Sequence, residues 1–316
     1  MMDCFVGIDT SNYTTSAALC TLDGHVIANI KAPLLVKEGE CGLRQSDAVF
    51  AHIKNLPDVM VRLREALDGK HVLAVGCSTR PRDVKDSYMP CFLAGKATAE
   101  ALAAPLDVPV FEFSHQNGHI MAAAYSSGAM TRLLNDAFAA FHVSGGTTEV
   151  LYVKPQPFGF DVQLVGETMD INAGQAIDRI GVAMGLQFPC GKELEALAKQ
   201  NTRKLPTPRI CVRNGCCNLS GLQNLAQKLL QETSDRAAVA AYVLAFLGET
   251  LKEMTAQLDA KYPGLPVVYA GGVMSNLYLQ SVLSQREDTY FAAPLFSADN
   301  AAGIALLCRQ RYLKNQ

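Results

Sequence analysis

Two histidines four residues apart, His115 and His119, are the residues of this chain best suited to bind a metal ion. Residues at this spacing lie on the same face of an α-helix, one turn above each other. Both imidazoles can therefore reach one divalent ion, which usually takes a third ligand, often a carboxylate. Half-buried histidine pairs that bind nothing show the same spacing. Ser114 is a good N-cap residue and favours a helix beginning here.

The residue after the first histidine argues against a zinc protease. Such enzymes carry H-E-x-x-H, in which the glutamate at the second position is the general base. Here that position is Gln116, whose neutral amide cannot accept a proton. Metalloprotease activity is therefore disfavoured.

Composition narrows the class of protein. The 316 residues suffice for two lobes, and 49% hydrophobic with 18% charged residues indicates a folded globular chain. The net charge is −2 and there is no long basic run, so charge alone gives no support to nucleic-acid binding. The longest apolar run, residues 237–247, is too short to cross a membrane. Ten scattered cysteines and the lack of a signal peptide predict a reducing, cytoplasmic location.

The two halves of the chain begin alike. Strand-like runs at 4–8 and 17–20 flank a polar bend rich in serine and threonine. Strand-like runs at 139–143 and 149–153 flank a second bend, and both bends carry a Thr-Thr pair before the return strand. This pattern predicts a weak internal duplication, with two lobes that each open with a hairpin facing a shared cleft.

Three segments are candidates for phosphate or nucleotide binding. The paired glycines of 144–146 let backbone N–H groups approach a ligand, although an ordinary hairpin turn explains them equally well. The glycines of 271–276 follow a strand and precede a helix N-terminus, but their spacing is not G-x-G-x-x-G, so no Rossmann site is indicated. Asp178 is placed either to bind ribose hydroxyls or to form a salt bridge with Arg179 or Lys192.

Six segments in this order resemble the tRNA N6-adenosine threonylcarbamoyltransferase family, once labelled glycoproteases. Each segment is short, and their common order carries the resemblance. The segments and the family motifs they resemble are 115–119 (H-x-x-G-H), 143–148 (V-S-G-G-H-T), 174–179 (G-E-A-F-D-K), 189–191 (P-G-G), 271–276 (G-G-V-x-x-N) and 299–302 (D-N-A-A).

The resemblance implies an α/β fold of the actin-like, sugar-kinase and Hsp70 ATPase superfamily. This fold has two lobes, duplicated mixed-sheet subdomains and a central nucleotide cleft. The implied lobes are residues 1–112 and 113–316, and it stays open whether the last helix packs back on the N-terminal lobe.

The resemblance also implies the site. One divalent metal, iron or zinc, would be bound by His115, His119 and Asp299. An adenine nucleotide (threonylcarbamoyl-AMP, or ATP and AMP) would be bound by Val143, Ser144, Gly145, Gly146, Asp178, Gly191 and Asn276. Asp9 and Ser11, which stand where the family has E-T-S, are candidate catalytic residues. The implied reaction transfers threonylcarbamoyl to the N6 amine of an adenosine beside the tRNA anticodon, with a smaller homologous subunit or a second copy as partner.

Several family positions differ in this chain. Two acidic residues of the family's opening motif are replaced by Tyr13 and Thr14, its histidine after Gly-Gly by Thr147, and an aspartate of its D-D-A-A-G run by Ile171. The chain is therefore interpreted as a divergent paralog. Two alternatives to the family reaction remain: a metal- and nucleotide-binding carbamoyl-type transferase with another acceptor, and a non-catalytic partner-binding scaffold.

Overall fold

The computed structural model describes residues 2–11, 13–34, 43–297 and 300–316. Its strands are β1 (Asp3–Ser11), β2 (Thr14–Thr21), β3 (Val26–Pro33), β4 (His71–Arg80), β5 (Val110–Ser114), β6 (Phe138–Val143), β7 (Thr148–Gln156), β8 (Gly159–Glu167), β9 (Val212–Arg213), β10 (Cys216–Cys217), β11 (Val267–Ala270) and β12 (Thr289–Phe291). Its α-helices are α1 (Gln45–Leu67), α2 (Phe92–Ala103), α3 (His115–Ser126), α4 (Met130–Asn135), α5 (Ala173–Ala183), α6 (Gly191–Ala198), α7 (Ser220–Thr233), α8 (Arg236–Lys261), α9 (Leu277–Leu283), α10 (Pro294–Ser297) and α11 (Ala302–Lys314).

The chain forms two compact units. Unit 1 comprises Met1–Ser126, Pro155–Asp161 and Leu295–Gln316, and unit 2 comprises Ser127–Lys154 and Val162–Pro294. This division differs from the predicted lobes, 1–112 and 113–316, because α3 and α11 both pack in the first unit, where they contact each other and β4.

The sheet of unit 1 has the strand order β3-β2-β1-β4-β5. The first three strands form an antiparallel meander that includes the predicted opening hairpin, and β4 and β5 join parallel to β1. Alternate residues of a strand face opposite sides. Val6 and Ile8 therefore pack in one cluster with Val59 of α1, whereas Gly7 lies against the backbone of α11.

The sheet of unit 2 has the order β12-β11-β6-β7-β8, which repeats the plan of the first sheet. The hairpin β6–β7 corresponds to β1–β2, and β11 and β12 correspond to β4 and β5. Its core centres on the long helix α8, whose Phe246 and Leu247 are buried with Phe141 and Tyr269 of the sheet. The predicted duplicated mixed-sheet α/β fold is confirmed.

Among the described residues, none of the helices combines the length and the apolar character needed to cross a bilayer.

Candidate metal and nucleotide sites

The two predicted metal-binding histidines lie in the first turns of α3, directly after β5. The helix begins as predicted, since the Ser114 hydroxyl accepts a hydrogen bond from the backbone N–H of Asn117 at 3.2 Å. The rings of His115 and His119 are neighbours, with centroids 4.3 Å apart and planes at 83°. The structure therefore brings these two side chains together on one helix face.

A buried carboxylate orients the first of these histidines. Asp9 lies near the end of β1 and is fully buried. Its Oδ1 accepts hydrogen bonds from His115 Nδ1 at 3.0 Å and from the Ser78 hydroxyl, and its Oδ2 accepts one from the Ser11 hydroxyl at 2.8 Å. Because β1, β4 and β5 are parallel neighbours, their carboxyl ends lie at the same end of the sheet. This arrangement brings Asp9 and His115 together although they are 106 positions apart in the sequence.

The donor chemistry at this edge fits a divalent metal. An imidazole that donates one ring N–H to a carboxylate is fixed in orientation and is a more basic ligand through its other nitrogen. His115 would thus hold an ion through Nε2, beside His119. Among the described residues, no group of three or more His, Cys, Asp or Glu side chains is arranged to bind a metal. Asp299, the predicted third ligand, lies outside the described residues.

The glycine between the histidines has a packing role. A Cβ atom placed on Gly303 of α11 would lie 1.8 Å from the carbonyl oxygen of Gly118, and one on Gly118 would lie 2.8 Å from Ile304 Cδ1. Glycine at 303 is required for helices α3 and α11 to approach this closely, because its neighbour is backbone, whereas a methyl group at 118 would have to displace the Ile304 side chain. The H-x-x-G-H motif therefore carries the two imidazoles and also forms the contact of α3 with α11, which begins at Ala302.

Two polar side chains that support α3 were not predicted. Asp83, which follows β4 in a segment of charged residues, accepts hydrogen bonds from the Ser114 hydroxyl at 2.7 Å and from Asn117 Nδ2 at 2.5 Å. Ser78 contacts Asp9. Both lie at or just after the end of β4, which is the neighbour of β1 and β5 in the sheet. Knowledge of this strand order would have been needed to predict them.

The predicted nucleotide loop follows β6 in unit 2. The Ser144 N–H donates to the Thr147 carbonyl at 2.7 Å, which closes the turn and leaves Gly145 and Gly146 exposed with open space around them. Gly174, at the start of α5, donates its N–H to the Ser144 carbonyl at 3.1 Å. A Cβ on Gly174 would lie 2.7 Å from the Gly145 backbone, so the start of α5 abuts the loop.

A second glycine loop meets the first. Gly271 has a φ of 101°, and a Cβ there would lie 2.2 Å from the carbonyl oxygen of Val143. The segment continues to Asn276, which is buried and whose Oδ1 accepts the Leu279 N–H at 3.1 Å, the N-cap bond of α9. The two segments that the sequence suggested for phosphate or nucleotide binding, 143–146 and 271–276, are therefore adjacent in unit 2.

Asp178 forms neither of the side-chain ion pairs considered from the sequence. Its Oδ1 accepts the backbone N–H of Cys190 at 2.8 Å, which fixes the turn that leads into α6 at Gly191. The carboxylate thus connects α5 to the P-C-G turn. The structure brings both predicted residues, Asp178 and Gly191, to this junction.

Asp170 anchors the chain between β8 and α5. Its carboxylate accepts the backbone N–H groups of Leu219 at 2.7 Å and Ser220 at 3.0 Å, at the N-terminus of α7. Partial burial acts to raise the pKa of Asp170, but hydrogen bonds from Ser220, Leu219 and Ile171 outweigh it and hold the pKa well below its ordinary value. Asp170 therefore ties the α5 loop to α7 in its charged form.

We expect Asp170→Asn to lower the free energy of unfolding near neutral pH by about 1 kcal/mol, as for loss of a helix-terminal acceptor. Because the folded-state pKa lies below the unfolded value of about 3.9, the stabilisation is present above that pH and is lost as the pH falls. Urea unfolding between pH 7 and pH 3 measures this. Asp58→Asn, at an exposed position on α1, is the control. Equal acid sensitivity of the wild type and Asp170→Asn would contradict the assignment.

The family positions that differ are also located. Tyr13, 42% exposed, lies between β1 and β2, and Thr14 begins β2. Thr147 closes the Ser144 turn through its backbone carbonyl. None of the three is an acidic residue or a histidine, so this chain lacks the acid pair and the histidine of the family motifs at these positions.

Comparison with known proteins identifies the relatives of this chain. The model of the TsaD family, described as tRNA N6-adenosine threonylcarbamoyltransferase, matches residues 88–306. The protein of that name from Streptococcus equi subsp. zooepidemicus is 30% identical, over 98% of this chain and 92% of its own. The one from Neorickettsia sennetsu is 26% identical, over 97% and 93%.

Solved structures share the fold at low sequence identity. HypF from T. kodakarensis superposes with a TM-score of 0.61 at 14% identity, over 99% of this chain and 48% of its own. The activator of 2-hydroxyisocaproyl-CoA dehydratase from Clostridium difficile, solved with bound ADPNP, has a TM-score of 0.54 at 12% identity, over 99% and 97%. A ROK family glucokinase from Streptomyces griseus has a TM-score of 0.50 at 15% identity, over 97% and 99%. These likenesses confirm the predicted actin-like and sugar-kinase fold.

Proposed function

This chain belongs to the tRNA N6-adenosine threonylcarbamoyltransferase family, and we propose that it transfers a threonylcarbamoyl group from threonylcarbamoyl-AMP to the N6 amine of an adenosine beside the anticodon of tRNA. The observation that carries this proposal is the buried Asp9 carboxylate holding His115 Nδ1 at 3.0 Å beside the ring of His119. A carboxylate so placed prepares an imidazole for a metal.

In this reaction the amine nitrogen forms a bond to the carbamoyl carbon, and the bond from that carbon to the phosphate oxygen breaks. AMP leaves with the electron pair, and the amine proton passes to water. A divalent iron or zinc ion bound by His115, His119 and Asp299 would polarise the carbamoyl or phosphate oxygens as a Lewis acid. Asp9 and Ser11 act here by fixing the orientation of His115.

The nucleotide is assigned to the adjoining loops of unit 2. The backbone of Gly145 and Gly146 would approach the phosphate, because both residues are exposed and carry no side chain. Val143, Ser144, Asp178, Gly191 and Asn276 complete the binding residues that we assign. Asp178 and Asn276 shape these loops through their contacts to backbone N–H groups.

Two further assignments rest on the family resemblance. We assign the protein to the cytoplasm, where tRNA is modified. The net charge of −2 gives little attraction for tRNA, so a smaller homologous subunit would supply additional binding surface. A second copy of this chain is the alternative partner.

The test is transfer of labelled threonylcarbamoyl from its adenylate to unmodified tRNA, with and without the organism's small homologous subunit. Label in tRNA supports the proposal. Tyr13 and Thr14 favour one alternative, a different acceptor, and label that leaves the adenylate for small amines instead of tRNA would support that alternative. Lack of both transfer and nucleotide binding would favour a partner-binding scaffold.

We expect Gly174→Ala to weaken AMP binding about tenfold, or about 1.4 kcal/mol. The added methyl group would lie 2.7 Å from the Gly145 backbone and must displace the Ser144–Gly146 turn. Isothermal titration calorimetry with AMP measures the effect. Gly248→Ala is the matched control, because its Cβ would meet side chains at an ordinary 3.6 Å. Unchanged AMP affinity in Gly174→Ala would show that this loop is not part of the nucleotide site.

A further inference from the structure

A cavity of 870 Å³ in unit 2 has no part in the function proposed above. It lies between Val150 and Val165 of the β7–β8 ribbon, the turn of the β9–β10 hairpin and the last turns of α8. None of the residues that we assign to the nucleotide or the metal lines it. Its volume falls within the range typical of small-molecule sites.

The hairpin wall of this cavity is firmly held. Gly215 donates its backbone N–H to Gln257 Oε1 at 2.9 Å, and Gln257 Nε2 donates to the Val212 carbonyl at 3.4 Å. On the other side, a Cβ on Gly166 of β8 would lie 2.2 Å from the Gly215 carbonyl oxygen, so the two backbones are in direct contact. The hairpin is therefore pinned between α8 and β8, and the cavity is preformed.

The charged side chains that line the cavity are cationic, and Asn214 and Gln257 add uncharged polar groups. Arg213 and Lys261 line it, and no acidic side chain is among the described residues that do so. Within the part of the chain that the structure describes, neither cation forms an ion pair with a carboxylate. Two cations without carboxylate partners at the mouth of one cavity favour an anion, and a planar guanidinium matches a phosphate through two parallel hydrogen bonds.

The cavity also has apolar and aromatic lining. Met254 and Leu258 form part of its floor, and both are buried. Tyr262 lines the cavity and stacks on Tyr152, with ring centroids 4.6 Å apart and planes at 22°, and Lys261 Nζ lies over the Tyr262 ring, 5.2 Å from its centroid. Such a surface complements a flat apolar group, because the gain comes from removing apolar area from water.

We propose that this cavity binds a soluble phosphate monoester that carries a flat apolar body. The dianionic phosphate lies between Arg213 and Lys261, and the apolar body enters over Met254, Leu258 and Tyr262. Two cations complement the two charges of such a phosphate better than the single charge of a carboxylate.

The probe for this proposal is 2-naphthyl phosphate, titrated by isothermal calorimetry against the full chain at pH 7.5. Inorganic phosphate and 2-naphthol separate the charge from the apolar body. We expect saturable one-to-one binding of the ester, at least ten times tighter than either fragment. Arg213→Gln and Lys261→Gln each weaken it about tenfold, as loss of a charge-assisted contact predicts.

Two further variants locate the bound ester. Ala260→Trp places a large side chain in the cavity from a solvent-exposed position of α8, so it blocks binding without disturbing the core. Lys252→Gln removes a lysine from the same helix outside the cavity and leaves binding unchanged. Unweakened binding in Ala260→Trp, or equal weakening in Lys252→Gln, would overturn the proposal.

Vesicle flotation separates a soluble ester from a lipid headgroup of the same chemistry. Vesicles of phosphatidylcholine with phosphatidic acid are compared with vesicles of phosphatidylcholine alone. We expect no flotation with either. Flotation that needs phosphatidic acid, together with no binding of 2-naphthyl phosphate, would overturn the proposal in favour of a lipid surface.

Discussion

His115→Ala is expected to reduce bound divalent metal from about one equivalent to less than a tenth and to lower the transfer rate about a hundredfold. We assign the imidazole as a metal ligand, and Asp9 orients it at 3.0 Å, so its loss removes a donor and leaves the buried Asp9 carboxylate without that hydrogen bond. His119 alone, even with a carboxylate, offers too few protein ligands for a stable site. Elemental analysis of the purified protein and the labelled transfer assay measure the two effects.

His71→Ala is the matched control for this prediction. His71, at the start of β4, also contacts an aspartate through Nδ1, at 3.1 Å from Asp3 at the start of β1, but both side chains are substantially exposed. We expect wild-type metal content and transfer in this variant. Wild-type metal content in His115→Ala would show that the metal is not bound at α3.

Gly303→Ala is expected to lower the free energy of unfolding by about 3 kcal/mol, near the upper limit for overpacking a core. The added Cβ would lie 1.8 Å from the Gly118 carbonyl oxygen, a backbone atom that cannot rotate away as a side chain does. Helices α3 and α11 must therefore separate. Urea unfolding followed by circular dichroism measures the loss, and metal content should fall with it because α3 carries both histidines.

Gly221→Ala is the control, and we expect it to raise the free energy of unfolding instead of lowering it. This glycine lies in the first turn of α7 with open space around its Cβ position, so alanine should stabilise the protein by several tenths of a kcal/mol. A drop of less than 1 kcal/mol in Gly303→Ala would show that the contact of α3 with α11 is not tight and would weaken the packing role assigned to the H-x-x-G-H glycine.

Local patterns in the sequence were sufficient to predict the opening strands of both units and the duplication. The strand-like runs on either side of the two Thr-Thr bends became β1–β2 and β6–β7, because a short continuous apolar run indicates a buried strand from near neighbours alone. The pairing of His115 with His119 is likewise local, since both lie on one helix.

The partners of these residues needed the fold. Asp9 and His115 meet only because β4 lies between β1 and β5 in the sheet, and no local pattern gives that order. Ser78 and Asp83 read as an unremarkable strand end and a charged loop until that order is known. The same limit applies to Asp178, whose backbone contact to Cys190 replaced the ion pairs considered from the sequence.

The nucleoside composition of tRNA after reaction tests the central claim most directly. Unmodified tRNA with adenosine beside the anticodon is incubated with threonylcarbamoyl-AMP, metal, the protein and its small homologous subunit, then digested and analysed by mass spectrometry. The same tRNA with guanosine at that position, and the His115→Ala protein, are the controls. We predict threonylcarbamoyladenosine only with the adenosine tRNA and the wild-type protein. Consumption of the adenylate without any modified adenosine would contradict the proposed function.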